Sequence, residues 1–309
     1  MKNKKIYVSG HNGMVGSAVL RNLISKGFNN LVYKSSNDLD LKNENKTEAF
    51  FRSEKPEIVI MAAAKVGGIL ANNNFPYEFL YENLKIQNNV INSSLEHGVE
   101  KLIFLGSSCI YPKYCNQPIK EEFLLTGALE PTNQWYAIAK ISGLKLVEAI
   151  RKQYKKNFIS LMPTNLYGPN DNFDLNSSHV LPALIRKFHE AKIFKKPYVT
   201  LWGSGTPLRE FLHVDDLAET IIFCMQNQMD KSLYNVGSGQ ELSIKDLAIL
   251  IKSIVKFDGE IKWDGSKPDG TPRKFLDSSK LEKLNSVKKI NLKTGIKTTY
   301  DWFKKNYKI

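Results

Sequence analysis

Three glycines follow the first apolar segment of the chain and constrain its fold more than any other feature. Residues 5–9 read KIYVS, and Gly10, Gly13 and Gly16 come directly after them in the pattern GxxGxxG. Apolar residues then recur at helical spacing through residues 14–26. A glycine turn between a buried strand and a helix presents free backbone amides, and the helix dipole adds positive potential. The pattern therefore predicts a strand–turn–helix unit that binds the pyrophosphate of a dinucleotide.

The same alternation of strand and helix continues along the first half of the chain. Further apolar runs that predict strands, separated by sequence of helical period, lie at 31–34, 57–64, 101–108 and 158–163. Continuous apolar strands that alternate with helices indicate a parallel sheet covered on both faces. We predict an α/β fold in which residues 1–165 form a Rossmann-type doubly wound sheet and residues 166–309 form a smaller mixed α/β substrate lobe. Later strands near 199–203 and 232–237 are expected to complete the sheet, so the two parts interleave.

Composition and charge exclude several classes of function. The chain of 309 residues has 42% hydrophobic residues, enough for a large core, and a net charge of +13. Only six of its 44 basic residues are arginine, and the lysines are scattered, which argues against nucleic acid as a partner. No run approaches the ~18 apolar residues of a membrane span, and the N-terminus lacks a signal-peptide pattern. We expect a cytoplasmic protein that binds no membrane. Three cysteines without metal-binding spacing predict neither a disulfide framework nor a metal site.

A second group of residues predicts redox chemistry on a carbonyl or an alcohol. Tyr136 and Lys140 are four residues apart in a predicted helix and share a face, so the ammonium can stabilise a phenolate. Ser107 ends the predicted strand at 101–108. Cys109 is two residues further on, and because side chains alternate along a strand, it should face the same side as Ser107.

The end of the second strand predicts which dinucleotide binds. An acidic residue there would bind the ribose of NAD, whereas a cation would receive the 2′-phosphate of NADP. The segment reads Tyr33-Lys34-Ser35-Ser36, with a cation and two hydroxyls at the strand end. NADP is therefore the predicted cofactor, and NAD is the less favoured alternative.

Ser107, Tyr136 and Lys140 resemble the catalytic triad of the short-chain dehydrogenase/reductases, and GxxGxxG is typical of the extended branch of that superfamily. Seven segments over essentially the whole chain resemble the GDP-L-fucose synthase family: AAAKVGGILANN (62–73), FLGSSCIYPK (104–113), LEPTNQWYAIAK (129–140), MPTNLYGPNDNF (162–173), SHVLPALIRKF (178–188), WGSGTPLREFLHVDD (202–216) and KPDGTPRKFLD (267–277). The resemblance implies NADPH-dependent conversion of GDP-4-keto-6-deoxy-mannose to GDP-L-fucose, by epimerisation at C3 and C5 and reduction at C4.

The resemblance also implies a role for each site residue. Tyr136 would exchange a proton with the substrate oxygen, Ser107 would hydrogen-bond that oxygen, and Lys140 would lower the pKa of the tyrosine and hold the ribose. Cys109 would be the base and His179 the acid of the two epimerisations. Helices near 78–96 and 133–155 would form the interface of a homodimer.

The resemblance further implies two sets of contacts. The cofactor is expected to touch Gly10, His11, Asn12, Gly13, Met14, Val15, Gly16, Lys34, Ser36, Asp40, Leu41, Ala63, Leu105, Gly106, Ser108, Lys140, Pro163, Thr164, Asn165, Leu166 and His179. The GDP-sugar is expected to touch Lys187, Trp202, Arg209, Arg273 and Asp277.

The chain departs from the family near the 2′-phosphate site, where Asn12 and Ser36 stand in place of frequent arginines. This difference leaves Lys34 as the main cation there and keeps NAD open as an alternative. Two other functions also remain open. One is a C4 ketoreductase that acts on a related GDP-4-keto hexose or heptose without epimerisation. The other is a dinucleotide-binding regulator without catalysis, which the intact triad disfavours.

Overall fold

The computed structural model describes residues 1–267, 269–284 and 289–307. Its strands are β1 (Ile6–Ser9), β2 (Leu31–Val32), β3 (Ile58–Met61), β4 (Lys101–Leu105), β5 (Asn157–Pro163), β6 (Asn165–Tyr167), β7 (Tyr198–Trp202), β8 (Leu208–His213), β9 (Leu233–Val236), β10 (Glu241–Ser243), β11 (Glu260–Asp264) and β12 (Arg273–Lys274). Its helices are α1 (Met14–Ser25), α2 (Glu44–Glu54), α3 (Ile69–Asn74), α4 (Pro76–Glu96), α5 (Gln134–Tyr154), α6 (Val180–Ile193), α7 (Val214–Gln226), α8 (Ile244–Val255), α9 (Ser279–Glu282) and α10 (Leu292–Asn306).

The first five strands and β9 form a six-stranded parallel sheet in the order β2-β1-β3-β4-β5-β9. Alternate residues of each strand enter separate cores. Val8, Ile60 and Ile103 face a core that includes residues of α1 and α7, whereas Val59 and Phe104 face a core that includes residues of α4 and α5. Burial on both faces explains why these strands are continuously apolar. The predicted doubly wound α/β fold is confirmed.

The strand predicted near 232–237 joins this sheet, but the one predicted near 199–203 does not. β9 pairs in parallel with β5. The prediction that a strand at 199–203 completes the sheet is wrong, because β7 pairs with β11 in a separate two-stranded sheet. Only Val199 and Leu201 of β7 are buried, while Thr200 and Trp202 are exposed. A strand with one apolar face suits the edge of a lobe and not the interior of a doubly covered sheet.

The C-terminal lobe is built around β8, which pairs with β6, β10 and β12. Its core contains Phe188, Phe211, Ile251 and Phe303, contributed by α6, β8, α8 and α10. This core is distinct from the two that cover the six-stranded sheet. In the parts of the chain that the structure describes, no helix combines the length and the apolarity that crossing a bilayer requires.

One buried carboxylate fastens the segments that pass between the sheet and the lobe. Glu210 on β8 is fully buried, and its carboxylate accepts hydrogen bonds from the amides of Ser238 (2.7 Å), Gly239 (2.9 Å) and Leu276 (3.2 Å). Its main-chain oxygen accepts from the side chain of Asn165 at 2.8 Å. Segments that are distant in sequence therefore meet at a single residue.

Candidate active site

The predicted site residues gather at the carboxyl edge of the parallel sheet. β1, β3, β4 and β5 end side by side, and each is followed by a segment that the sequence analysis assigned to a site. The order of strands reverses between β1 and β3, and in open α/β sheets ligands bind in the crevice beside such a reversal. The fold therefore places a binding cleft next to the glycine turn.

The glycine turn leaves no room for side chains at two of its three glycines. Gly10 has φ of 73°, and a Cβ there would lie 2.7 Å from the amide nitrogen of Ala63. A Cβ on Gly16 would lie 2.2 Å from the main-chain oxygen of Gly10. The amide of Gly13 donates to the same oxygen at 3.0 Å, and Gly13 is the residue that caps the N-terminus of α1. This cradle at a helix N-terminus fits a pyrophosphate.

The residues expected near the cofactor's adenosine lie beside this turn. Lys34 and Ser36 are exposed just after β2. The ring of His11 lies 4.8 Å from that of Tyr33, and its Nδ1 is buried with no partner among the described residues. The Lys34 ammonium, the Ser36 hydroxyl and the ring nitrogen of His11 are groups that can bind a phosphorylated ribose.

The other predicted cofactor residues lie in or beside the same turn, or follow strand ends along the same edge. Met14 and Val15 begin α1 and pack against its core. Asn12 is exposed in the turn, and Asp40 and Leu41 precede α2. Leu105, Gly106 and Ser108 lie at or beyond the end of β4, and Pro163, Thr164, Asn165 and Leu166 join β5 to β6.

Ser107 follows the end of β4, and Tyr136 and Lys140 lie in the first turns of α5. The Lys140 ammonium donates to the main-chain oxygen of Leu105 at 2.9 Å and lies 5.7 Å from the centre of the Tyr136 ring. Burial lowers the pKa of Lys140 to about 8. Burial also raises the pKa of Tyr136 well above its ordinary value, with Cys109 adding to the effect. That Lys140 lowers the pKa of Tyr136 stays a prediction, since desolvation and Cys109 account for the shift in the protein alone. Tyr136 is therefore a protonated acid.

Cys109 lies beside Ser107, but not for the reason that the sequence suggested. β4 ends at Leu105, and residues Ser108–Ile110 form a 3₁₀ turn, so strand alternation does not apply. The amide of Cys109 instead donates to the Ser107 hydroxyl at 3.4 Å. Cys109 is 7% exposed. Burial raises the pKa of its thiol, while the positive charge of Lys274, the Ser107 hydroxyl and the positive charge of Lys140 act in the opposite direction.

His179 comes from the other lobe, at the residue that caps the N-terminus of α6. The loop after β3 fixes its approach, because the amide of Gly68 donates to the main-chain oxygen of Ser177 at 2.8 Å. A Cβ on Gly68 would lie 2.5 Å from the oxygen of Ser178, so only glycine allows this contact. His179 retains exposed surface in the cleft, where desolvation and the charge of Lys274 lower its pKa.

Three of the five predicted substrate residues present cations or an aromatic face. The Lys187 ammonium lies 5.5 Å from the centre of the exposed Trp202 ring, and Arg209 is half-buried with Asp269 nearby. An aromatic face flanked by cations suits a nucleotide base and its diphosphate. The structure therefore brings Lys187 and Trp202 together on one face.

The other two predicted substrate residues are engaged within the protein. Arg273 forms a two-pronged ion pair with Glu241, in which the Nε–Oε2 distance is 2.8 Å. The Asp277 carboxylate accepts from the amide of Ser279 at 2.9 Å, and the hydroxyl and the amide of Ser279 together hold its pKa below the ordinary value. Neither contact involves the residues of the catalytic cluster.

Lys274 is the site residue that sequence reasoning missed. It pairs with Arg209 across β12 and β8, and its ammonium acts on both Cys109 and His179. No local signal marked it, because Arg273 and Lys274 both line the cavity beside Cys109 and the register with Arg209 on β8 places Lys274 there. Among the described residues, no cluster of histidine, cysteine and carboxylate side chains could hold a metal ion.

Comparisons with known proteins agree with this geometry. The profile of the NAD dependent epimerase/dehydratase family matches residues 6–237. The chain is 57% identical to GDP-L-fucose synthase 1 of Arabidopsis thaliana over 99% of this chain and 94% of the relative. Two solved structures from Campylobacter jejuni are also similar. A GDP-6-OMe-4-keto-L-xylo-heptose reductase has a TM-score of 0.95 and 40% identity, over 99% of both chains. A GDP-mannoheptose C4 reductase with NADP bound has a TM-score of 0.91 and 42% identity, over 98% of this chain and 99% of the other. The chain belongs to the NAD dependent epimerase/dehydratase family, in the branch that contains the GDP-L-fucose synthases.

Proposed function

We propose that this protein is a GDP-L-fucose synthase that epimerises C3 and C5 of GDP-4-keto-6-deoxy-D-mannose and then reduces C4 with NADPH. The observation that carries the proposal is the presence of Cys109 and His179 beside an intact Ser107, Tyr136 and Lys140. A reductase needs only the last three residues. A thiol and an imidazole contributed by different lobes add a base and an acid for proton transfer at carbon.

The chemistry of the substrate explains why both groups are useful. A ketone at C4 acidifies the C–H bonds at C3 and C5, so a base can form an enolate at either position. Cys109 would remove the proton from one face, and His179 would return a proton to the opposite face. Free cysteine and histidine titrate near ~8.5 and ~6.5. Burial moves the pKa of each group away from neutrality in the protein alone, so these roles require nearby charges to favour the thiolate and the imidazolium.

The residues of the chain also account for the reduction. NADPH, when bound, supplies the hydride for C4. The glycine turn would hold its pyrophosphate, and Lys140 would hold its ribose. Tyr136 would donate a proton to O4, Ser107 would hydrogen-bond that oxygen, and the Lys140 ammonium would stabilise the resulting phenolate.

We also propose that the cofactor is NADPH in preference to NADH, with Lys34 as the main determinant. Replacing Lys34 by alanine should raise KM for NADPH about tenfold, because one exposed cation that binds a phosphate contributes on the order of 1–2 kcal/mol. KM for NADH should change little, and steady-state kinetics with both cofactors would measure the difference. An equal change for the two cofactors would remove Lys34 from the recognition of the 2′-phosphate.

The proposal includes a homodimer in the cytoplasm. Exposed apolar side chains on α4 and α5 support it, among them Tyr77 (65% exposed), Tyr81 (42%) and Ile138 (40%). A shared four-helix interface would cover them, and light scattering gives the mass directly.

The alternative is a C4 ketoreductase without epimerase activity, which the two C. jejuni reductases favour. Proton NMR of the product formed from GDP-4-keto-6-deoxy-D-mannose and NADPH in heavy water separates the two functions. We expect deuterium at both C3 and C5 and the L-fucose configuration. A product with hydrogen at both carbons and no inversion would make the protein a ketoreductase alone.

A further inference from the structure

A small polar cavity lies directly beside Cys109. Residues that line it include Cys109, Asn133, Glu130, Lys113 and Lys274. It has about 10 Å³ for the centre of a water-sized molecule, which is room for one water. Asn133 Oδ1 is buried there without a hydrogen-bond partner among the described residues. The thiol therefore borders a polar space and not a purely apolar core.

Two of the basic side chains that line this cavity are held in ion pairs, and among the described residues a third is not. Lys113 forms an ion pair with Glu130 at 2.9 Å, and Arg273 is paired with Glu241. The Lys274 ammonium forms no ion pair or hydrogen bond with any residue that the structure describes, although it is only half-exposed. Burial and the charge of Arg209 lower its pKa, while Cys109 and Glu130 act to raise it. The Lys274 amine thus has no fixed partner among the described residues and lines the same cavity as the thiol.

The groups that face Cys109 from the other elements cannot replace it. Ser107 offers a hydroxyl, and Tyr136 is a neutral acid. Lys140 also acts to lower the pKa of the thiol, but less than Lys274 does, and its ammonium donates to the main-chain oxygen of Leu105. A buried thiol is a weak base unless a nearby cation stabilises its thiolate.

We propose that Lys274 is a positioning residue that favours the thiolate form of Cys109 for proton abstraction from the sugar ring. This inference rests on the proposed epimerase function. In the step that it supports, the C–H bond breaks, its proton passes to Cys109 Sγ, and its electron pair enters the enolate. His179 then gives its proton to the opposite face of the carbon. Two inversions require the thiol to release a proton and His179 to regain one between them, and a water in the cavity beside Cys109 could accept the proton from Sγ.

The test compares Lys274→Met with Lys274→Arg in protein saturated with NADP⁺. The pH dependence of Cys109 alkylation by iodoacetamide, followed by mass spectrometry of the Cys109 peptide, reports the thiolate directly and requires no substrate. Loss of a positive charge that acts on the thiol should move the midpoint to higher pH by about one pH unit or more. Lys274→Arg should restore most of the shift. Lys120→Met, which removes an exposed lysine, should leave the midpoint unchanged.

Deuterium exchange at C3 and C5 provides the second measurement. Lys274→Met should slow exchange about tenfold or more near neutral pH, because the thiolate fraction falls with the shift. An unchanged alkylation midpoint in a folded Lys274→Met protein would overturn the inference, whatever happens to exchange. If the wild-type protein exchanges no ring protons while Lys274→Met still shifts the midpoint, the proposed epimerase function fails and the influence of Lys274 on the thiol stands.

Discussion

Replacing Tyr136 by phenylalanine is expected to reduce the rate of NADPH oxidation by about 10²- to 10⁴-fold, the usual contribution of a positioned general acid. The change removes one hydroxyl from a ring that packs edge-on against Phe79 at 6.4 Å between ring centres. The fold should therefore tolerate it. Without the phenol, the oxygen at C4 receives no proton as the hydride arrives. Absorbance at 340 nm under saturating substrate measures the effect.

Two controls separate this chemical role from damage to the cofactor site. NADPH binding, followed by its fluorescence, should stay within a few-fold of the wild-type value, because the glycine turn and Lys34 are untouched. Deuterium exchange at C3 and C5 should also persist, since Cys109 and His179 remain. A Tyr136→Phe protein that reduces its substrate at the wild-type rate would assign the proton donation to another group.

Replacing Cys109 by serine is expected to reduce deuterium exchange at C3 and C5 by about 10²- to 10⁴-fold. A serine hydroxyl is a far weaker acid than a thiol and would not ionise near neutral pH, even beside Lys274. The main-chain contact to the Ser107 hydroxyl is unaffected, so the local turn should remain. NMR of the substrate in heavy water, recorded without NADPH, measures exchange in isolation from reduction.

The same variant should still oxidise NADPH, because Tyr136 and Lys140 are intact. Its product should retain hydrogen at C3 and C5. Cys115→Ser is a matched control, since this half-buried cysteine lies six residues further on and should not affect exchange. Undiminished exchange by Cys109→Ser would exclude the cysteine from the mechanism.

Local features of the sequence predicted much of the fold. The run of residues from Ile6 to Ser9 had to be buried on both faces, and the glycines after it permit a tight turn, so β1, the turn and α1 could be located to within about a residue. The strand at Leu233–Val236 could also be placed, because it is as apolar as its neighbours in the sheet. The strand at Tyr198–Trp202 could be located, but the sheet to which it belongs could not, since its partner β11 lies far along the chain.

The candidate site shows the same division between local and long-range information. Tyr136 and Lys140 share a helical face, which spacing alone predicts. The position of Cys109 depends on where β4 ends, and strand boundaries are the least certain part of a sequence-based prediction. Lys274 enters the site through its register with Arg209, a pairing between residues far apart in the chain. Nothing local to residue 274 fixes that register.

The hydrogen bonds at Glu210 bear on how a bulky ligand could enter and leave. A hinge between two bodies normally needs a few residues whose main chain is free to rotate. Here the segments at Asn165, Ser238, Gly239 and Leu276 are all bonded to one buried residue, so rotation at those points would break several bonds together. These bonds therefore oppose a hinge movement of the two lobes relative to each other. Entry and release of a ligand would then require rearrangement of side chains and loops at the rim of the cleft rather than a movement of whole domains.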